Sequence, residues 1–128
     1  MRLLLDTCTF LWLVAGSKEL SSDAKALFSD PANEVLLSSA SVWEIVVKNR
    51  LGKLPLPDTA ERFIIGNRKA HGIDPLPIDE ESALQLSKLP DFHSDPFDRM
   101  LVCQAVVHAL TILTPDEMVR RYPIRTMW

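Results

Sequence analysis

The sequence contains little glycine, cysteine or aromatic residue for its length. Among its 128 residues there are 4 Gly, 2 Cys and 1 Tyr, and aromatic residues make up 7%. With 47% hydrophobic residues, so little glycine excludes a disordered polymer and favours a chain with a real core. Cys8 and Cys103 lie in apolar contexts, so we expect both to be buried in a protein of a reducing compartment. No Cys and His spacing suits a zinc site.

Long hydrophobic runs and a large excess of one charge are also missing. No uncharged apolar run approaches the roughly 20 residues needed to span a bilayer. Asp6 interrupts the apolar N-terminal segment, which argues against a signal peptide and predicts a cytoplasmic protein without a membrane partner. The chain has 14 Lys+Arg and 17 Asp+Glu, a formal net charge of −3. That balance excludes nucleic-acid binding by bulk positive charge but leaves room for a local basic track.

Short apolar runs alternate with longer helical patterns along the chain, and its length suits one domain over residues 1–128. Such alternation predicts an α/β/α sandwich, a parallel sheet with helices on both faces. The predicted strands are Arg2–Asp6, Val35–Leu37, Ile73–Ile78, Thr111–Leu113 and Ile124–Met127. The predicted helices are Thr7–Ala15, Ser21–Phe28, Val42–Leu51, Asp58–Ala70, Asp79–Leu89, Pro96–Leu110 and Pro115–Arg121.

Four acidic residues fall where these strands end or where the following helices begin. They are Asp6, Glu44, Asp98 and Asp116. In a parallel sheet these positions share one edge, at which ligands usually bind. Acids in a first helical turn are common and stabilise a helix by roughly 0.3–1 kcal/mol without any further role. Glu44 stands out because its helix is apolar nearly all round, so its carboxylate must be paired or face a polar cleft.

Helix capping offers another explanation for several of these acids. Asp95 is an expected N-cap, with Pro96 at the first helical position. Thr114 is an expected N-cap with Glu117 closing the box, and Asp6 is equally well explained as a cap or as a site residue.

Taken together, four carboxylates at one edge favour a cation site. Two unit charges 4 Å apart repel by about 4 kcal/mol at an effective dielectric constant of 20, and a divalent cation offsets that cost. Oxygen ligands without His or Cys favour Mg²⁺ or Mn²⁺. Such a cation positions a phosphate and lowers the pKa of a bound water, so the residues predict a metal-dependent nuclease.

Four segments in this order resemble the PIN-domain family, in particular the VapC-type toxin ribonucleases of toxin–antitoxin modules. They are the run Leu4–Thr7, the helical Glu44, the run His93–Ala105 and the run Thr114–Glu117. The resemblance covers essentially the whole chain, and the ordered set is more specific than any one segment. It implies an endoribonuclease that uses Mg²⁺ or Mn²⁺, pairs as a homodimer and is bound by a cognate antitoxin over its active-site groove.

By position, the resemblance assigns metal binding and catalysis to the same four acids, Asp6, Glu44, Asp98 and Asp116. It implies that Thr7 or Thr114 holds a metal-bound water or orients a carboxylate. The third motif carries two aspartates where many relatives show one; Asp98 fits the family register, and Asp95 remains a supporting candidate.

Several residues beside these acids have both a functional and an ordinary explanation. Arg99 can pair with the acids or a phosphate, or simply be solvated or ion-paired. Lys48, Arg50 and Lys53 follow Glu44 and are the candidate RNA contacts, although they also suit a solvated helix face.

His71, His93 and His108 are not spaced as a metal set, and we expect His93 to be a loop residue. Trp12 and Trp43 are expected in the core or at an interface rather than as platforms for bases.

Three other classes of protein were weighed. A haloacid-dehalogenase-type phosphotransferase needs a second aspartate two residues after the first, where this chain has Cys8. A receiver-type signalling domain needs a late lysine, and the last lysine is Lys88. A PIN-like module that binds RNA or protein without cleavage stays open as the non-enzymatic alternative, although all four acids are present.

Overall fold

In the computed structural model, which describes all 128 residues, five short strands form one parallel sheet between two helical layers. The strands are β1 (Arg2–Leu5), β2 (Glu34–Ser38), β3 (Asp74–Leu76), β4 (Thr111–Leu113) and β5 (Arg125–Met127). The helices are α1 (Thr7–Ala15), α2 (Ser22–Ser29), α3 (Ser39–Arg50), α4 (Ala60–Ala70), α5 (Glu80–Gln85), α6 (Pro96–His108) and α7 (Glu117–Arg120). The order across the sheet is β3-β2-β1-β4-β5, which confirms the predicted α/β/α sandwich.

The central strand β1 supplies side chains to both layers because successive residues of a strand point to opposite faces. Leu4 packs with Val102 of α6 and Val119 of α7 on one face. Leu3 and Leu5 pack with residues of α1 to α4 on the other face. All three leucines are completely buried, as the uninterrupted leucine run predicts for a strand covered on both sides.

Prolines and caps shift several element boundaries from their predicted positions. Strand β3 covers only Asp74–Leu76 of the predicted Ile73–Ile78, because its prolines cannot donate to a ladder and confine it to the sheet edge. Helix α3 begins at Ser39, three residues before the predicted Val42, because the Ser38 hydroxyl caps it by accepting from the Ala40 amide at 3.0 Å.

The later helices also differ from prediction at their ends. The predicted helix Asp79–Leu89 divides into α5 and a short 3₁₀ turn over Leu86–Lys88. Helix α6 stops at His108, not Leu110, because Ala109 takes a left-handed conformation with φ of 54°. The prediction that Thr114 caps α7 is wrong: Asp116 is the cap, and its carboxylate accepts from the Met118 amide at 2.8 Å.

A buried polar chain joins the two helices that follow the sheet edge, α3 and α6. The Ser38 hydroxyl that caps α3 donates to the side-chain oxygen of Gln104 on α6. The amide nitrogen of Gln104 donates in turn to the Pro77 carbonyl at 3.1 Å. Because Ser38 and Gln104 are completely buried, these bonds satisfy polar groups that would otherwise destabilise the core. No helix of the chain is both long enough and apolar enough to cross a bilayer.

Candidate active site at the carboxyl edge of the sheet

Asp6 follows β1 directly, and each of its carboxylate oxygens accepts a hydrogen bond. One carboxylate oxygen caps α1 by accepting from the Thr9 amide at 2.8 Å, and the other accepts the Thr114 hydroxyl proton. Burial raises the pKa of Asp6 above its ordinary value and nearby Asp116 adds to this, although the bonds from Thr114 and Thr9 oppose the shift. The capping explanation left open by the sequence is therefore confirmed, and Asp6 also feels the charge of another predicted site acid, Asp116.

Glu44 lies on α3 with only 6% of its surface exposed. Its Oε1 accepts the Thr7 hydroxyl at 2.7 Å, and its Oε2 pairs with the Lys48 ammonium one turn later. Thr7 has one hydroxyl proton and gives it to the carboxylate, so the 3.0 Å contact with Ser41 is a bond that Thr7 accepts. The expectation that Glu44 is paired or faces a polar cleft is met by pairing. Lys48, a candidate RNA contact, is bound to Glu44, and this bond raises the pKa of Lys48.

Asp98 occupies the first turn of α6 and is the least compensated of the four acids. Its closest polar side-chain neighbour is His93, whose Nε2 lies 3.4 Å from its Oδ2. Burial, followed by the charges of Asp95, Asp116, Asp6 and Glu44, raises the pKa of Asp98 to about 7. Because all three other predicted site acids act on Asp98, the fold brings the four acids into one electrostatic site.

A hydrogen-bond chain behind Asp98 fixes the state of His93. The Tyr122 hydroxyl accepts from the Arg99 guanidinium at 3.0 Å and contacts His93 Nδ1 at 2.8 Å. Arginine cannot accept, so His93 Nδ1 is the acceptor in contact with the Tyr122 hydroxyl proton. We infer that Tyr122 donates to Nδ1, which leaves Nε2 as the N–H that faces Asp98. His93 does lie in a loop, as predicted, but its contact with Asp98 is one that the sequence reasoning missed. The missed signal was its position five residues before Asp98.

Arg99 and Tyr122 support this chain from behind. Arg99 forms its ion pair with Asp91, at 3.2 Å, rather than with any of the four acids, and it also donates to two loop carbonyls. Tyr122, which is 2% exposed, was not singled out by the sequence because a lone tyrosine after a short helix has no recognisable pattern.

Asp95 and Asp116 both act as helix caps. Asp95 accepts from the amides of Phe97 at 2.9 Å and Asp98 at 3.0 Å, which confirms its predicted capping role and orients the first turn of α6. The Asp116 amide donates to the Thr114 hydroxyl oxygen at 3.0 Å. Since Thr114 gives its proton to Asp6, this one buried side chain links the acids that follow β1 and β4.

The expectation of two buried cysteines is correct for Cys103 and wrong for Cys8. Cys8 is exposed at the start of α1, between the elements that carry the acids. Partial burial, followed by the charges of Asp6, Glu44 and Asp98, raises the pKa of its thiol to about 11. A thiol with such a pKa stays protonated at neutral pH and is a poor nucleophile.

The tryptophans were expected in the core or at an interface. Trp43, immediately before Glu44, is 57% exposed and so does not belong to the core. Its ring meets that of Phe97 edge to face, with centroids 5.0 Å apart. Trp12 is half-buried and contacts Trp128.

Two further features define the surroundings of the acids. Arg50 and Lys53, the remaining candidate RNA contacts, are exposed at and beyond the end of α3. As placed, no three His, Cys, Asp or Glu side chains lie close enough together to hold a metal ion. The acids therefore share one electrostatic site without forming a ready coordination shell.

A parallel α/β/α sandwich with acids at its carboxyl edge defines a class of ligand-binding and catalytic domains. Within that class, the PIN domain family model matches residues 3–124, so this chain belongs to the PIN domain family.

A curated protein resembles part of this chain, and solved structures share its fold. Ribonuclease VapC16 of Mycobacterium tuberculosis is 38% identical over 58 residues, which are 45% of this chain and 41% of that protein. The chain thus aligns with less than half of the length of this curated relative. The structure of VapBC2 from Rickettsia felis bound to promoter DNA superposes with a TM-score of 0.73, 12% identity and coverage of 99% and 98% of the two chains. The structure of DNA-bound VapBC from Salmonella typhimurium superposes with a TM-score of 0.69 and 16% identity, and the match covers 99% of this chain and 97% of that one.

Proposed function

We propose that this PIN-domain protein is a Mg²⁺- or Mn²⁺-dependent endoribonuclease and the toxin of a toxin–antitoxin module. The observation that carries the proposal is the environment of Asp98, a half-buried carboxylate that feels the charge of four other acids at the edge where parallel sheets bind ligands. Carboxylates that repel one another are typical of functional sites, and a bound cation would neutralise the repulsion between these carboxylates.

The donor set fits a hard divalent cation. Every candidate ligand is a carboxylate, and oxygen donors are those that Mg²⁺ and Mn²⁺ prefer. The oxygens of Glu44 already have partners in Thr7 and Lys48, yet each carboxylate oxygen has two lone pairs and can accept again. Because the acids do not form a ready shell, the proposal requires Asp98 and its neighbours to adjust when the cation binds. When bound, the cation would polarise a phosphate and lower the pKa of a water.

The remaining residues hold the acids in position. Thr7 holds one oxygen of Glu44, and Thr114 holds one oxygen of Asp6. The His93 Nε2–H points at Asp98 and orients it. Such outer contacts typically change activity or metal affinity by about 10- to 100-fold when removed. In this proposal Asp6, Glu44, Asp98 and Asp116 bind the cation, and Thr7, His93 and Thr114 position them.

The RNA substrate is inferred from the relative and from local charge. VapC16 is named a ribonuclease and is similar to this chain over 58 residues. The exposed Arg50 and Lys53 give the acidic protein a local positive segment at and beyond the end of α3, the helix that carries Glu44. Antitoxin binding is supported by the fold shared with two structures described as VapBC bound to DNA. We also propose that the protein forms a homodimer and is cytoplasmic. Light scattering tests the homodimer, which should have twice the 14.4 kDa mass of one chain.

The test is cleavage of a single-stranded RNA by the purified protein with Mg²⁺ or Mn²⁺ and with EDTA. We expect cation-dependent cleavage that is lost in Asp6→Asn and Asp98→Asn. Asp23→Asn is the matched control, because Asp23 is also a first-turn acid but lies exposed on α2.

The outcomes separate the enzyme from the non-enzymatic alternative. Full activity of Asp98→Asn would overturn the site assignment. RNA that binds the wild-type protein but stays intact with either cation would favour a PIN-like binding module. A divalent cation should also raise the melting temperature of the wild-type protein more than that of Asp98→Asn, because binding to the native state stabilises it.

A further inference from the structure

Trp43 and Phe97 form an aromatic pair that is open to solvent. Their ring centroids are 5.0 Å apart and the rings cross at 83°, so the edge of one meets the face of the other. Trp43 is 57% exposed and Phe97 half-buried. Leaving so much indole surface in water loses the stabilisation that burial of a tryptophan normally provides. A surface aromatic pair of this kind therefore suggests a ligand.

The position of the pair points to the site acids. Trp43 directly precedes Glu44 on α3, and Phe97 directly precedes Asp98 in the first turn of α6. The contact between the rings thus joins the two helices beside the two carboxylates. Helices α3 and α6 also contact each other directly.

Beyond the two carboxylates that flank the rings, the charge of the segment that follows Trp43 and Glu44 favours a polyanion as the ligand. From residue 45 to residue 57 the chain contains three cations, Lys48, Arg50 and Lys53, and no acid. All three are exposed, and only Lys48 is paired, with Glu44. An exposed aromatic residue followed along its helix by exposed cations is a combination that proteins use for single-stranded nucleic acid.

We propose that the Trp43–Phe97 pair is a stacking platform for a base of the single-stranded RNA. The base belongs to a nucleotide next to the phosphate held at the acidic site, while Arg50 and Lys53 contact the backbone further along. This inference rests on the proposed ribonuclease function and specifies its substrate as unpaired RNA. Every base has a π face, so the platform tolerates sequence and selects for an unstacked strand.

The experiment measures the affinity of a labelled single-stranded RNA for full-length protein carrying Asp6→Asn, which keeps the RNA intact. Adding Trp43→Ala should weaken binding by roughly 5- to 150-fold, the range for loss of one stacked base. Trp43→Phe keeps an aromatic face and should retain most of the affinity. Leu84→Ala is the control, because Leu84 is a 65% exposed apolar residue on α5, and it should bind like the parent.

A series of RNAs with one abasic position each makes the test specific to stacking. At one position, the missing base should lower the RNA affinity of the parent protein as much as Trp43→Ala does. The same abasic RNA should bind Trp43→Ala almost as well as intact RNA does, because both changes remove the same contact. Equal RNA affinity of the parent and Trp43→Ala would overturn the platform. So would a change of oligomeric state in Trp43→Ala without a change in RNA affinity, because the rings would then belong to an interface between copies.

The platform can fail separately from the ribonuclease. If the otherwise wild-type protein cleaves RNA with a divalent cation but Trp43→Ala cleaves and binds it equally well, only the platform is wrong. If the wild-type protein neither binds nor cleaves RNA, the proposed function itself is wrong.

Discussion

The carboxylates on the two sides of the sheet edge are held very differently. On the side of α1 and α3, Asp6 and Glu44 each accept two hydrogen bonds from within the protein and are almost completely buried. On the side of α6, Asp98 has one long contact with His93 and feels the charge of four other acids.

The difference shows where the electrostatic cost of the site is concentrated. Hydroxyl groups and a lysine offset the negative charge of the first side, so its geometry is fixed. Asp98 lacks such compensation, and its pKa is raised first by burial and then by repulsion from the neighbouring acids. We infer that the first side serves as a rigid half of the site and that Asp98 responds most to a bound cation.

The largest effect should come from the rigid side. Glu44→Gln keeps the acceptor for the Thr7 hydroxyl and the shape of the side chain, so the fold should persist. We expect RNA cleavage to fall by at least about 100-fold, because a ligand charge is lost. Initial rates measure this, with Glu61→Gln, an exposed first-turn acid of α4, as the control. Unchanged cleavage would make Glu44 a purely structural residue and remove it from the site.

On the other side, His93→Phe should lower cleavage by about 10- to 100-fold, because Asp98 loses the N–H that orients it. His93→Gln restores a donor and should recover part of that loss, which a merely structural role would not predict. The nitrogen NMR shifts of His93 in the wild-type protein should show the proton on Nε2. A proton on Nδ1 would contradict the orientation deduced from Tyr122 and Arg99.

Substitutions of two threonines on α1 distinguish a residue that positions Glu44 from one that only stabilises the fold. Thr7→Val removes the donor to Glu44, and Thr9→Val removes the donor to the Leu113 carbonyl at 3.0 Å. Each should lower the free energy of unfolding by about 1 kcal/mol, as measured by chemical denaturation. Only Thr7→Val should also slow cleavage. Equal cleavage by both variants would mean that Glu44 does not need its anchor.

The smallest effect should be a pH dependence of stability. The pKa of Asp98 is raised from 3.8 to about 7 in the folded protein, so its contribution to stability is fully present below its unfolded pKa and is lost as the pH rises through about 7. Asp98→Asn should therefore melt a few degrees higher than the wild-type protein at about pH 8, and less so at about pH 5. Added Mg²⁺ should reduce the difference in melting temperature between Asp98→Asn and the wild-type protein at about pH 8. A wild-type protein that melts higher than Asp98→Asn at about pH 8 without Mg²⁺ would contradict the repulsion at this site.

The sequence was sufficient for the layers of the fold and for the placement of the acids near one another. A run such as Leu3–Leu5 can be buried on both sides only in a covered sheet, and the ends of parallel strands must share an edge. Element ends were harder to predict, because they depend on single caps. The Ser38 hydroxyl extends α3 by almost one turn, and two prolines shorten β3.

Side-chain pairing across the site was only partly predictable from spacing. Lys48 follows Glu44 by four residues, the helical spacing at which glutamate and lysine pair, and this signal was missed. His93 and Tyr122 come from a loop and from the segment after α7, 29 residues apart, and their contact depends on tertiary structure. Exposure was equally hidden, since Cys8 and Trp43 stand among apolar neighbours and yet reach the surface.

The bond between Ser38 and Gln104 has a consequence for how precisely the two sides are aligned. Gln104 lies six residues after Asp98 on α6, about 9 Å along the axis, and successive residues of a helix are rotated by about 100°. A slip of α6 by one residue would break this bond in the dry interior and swing Asp98 away from Glu44. The buried side-chain amide of Gln104 thus fixes the axial position and rotation of α6, and with them the position of Asp98 relative to Glu44.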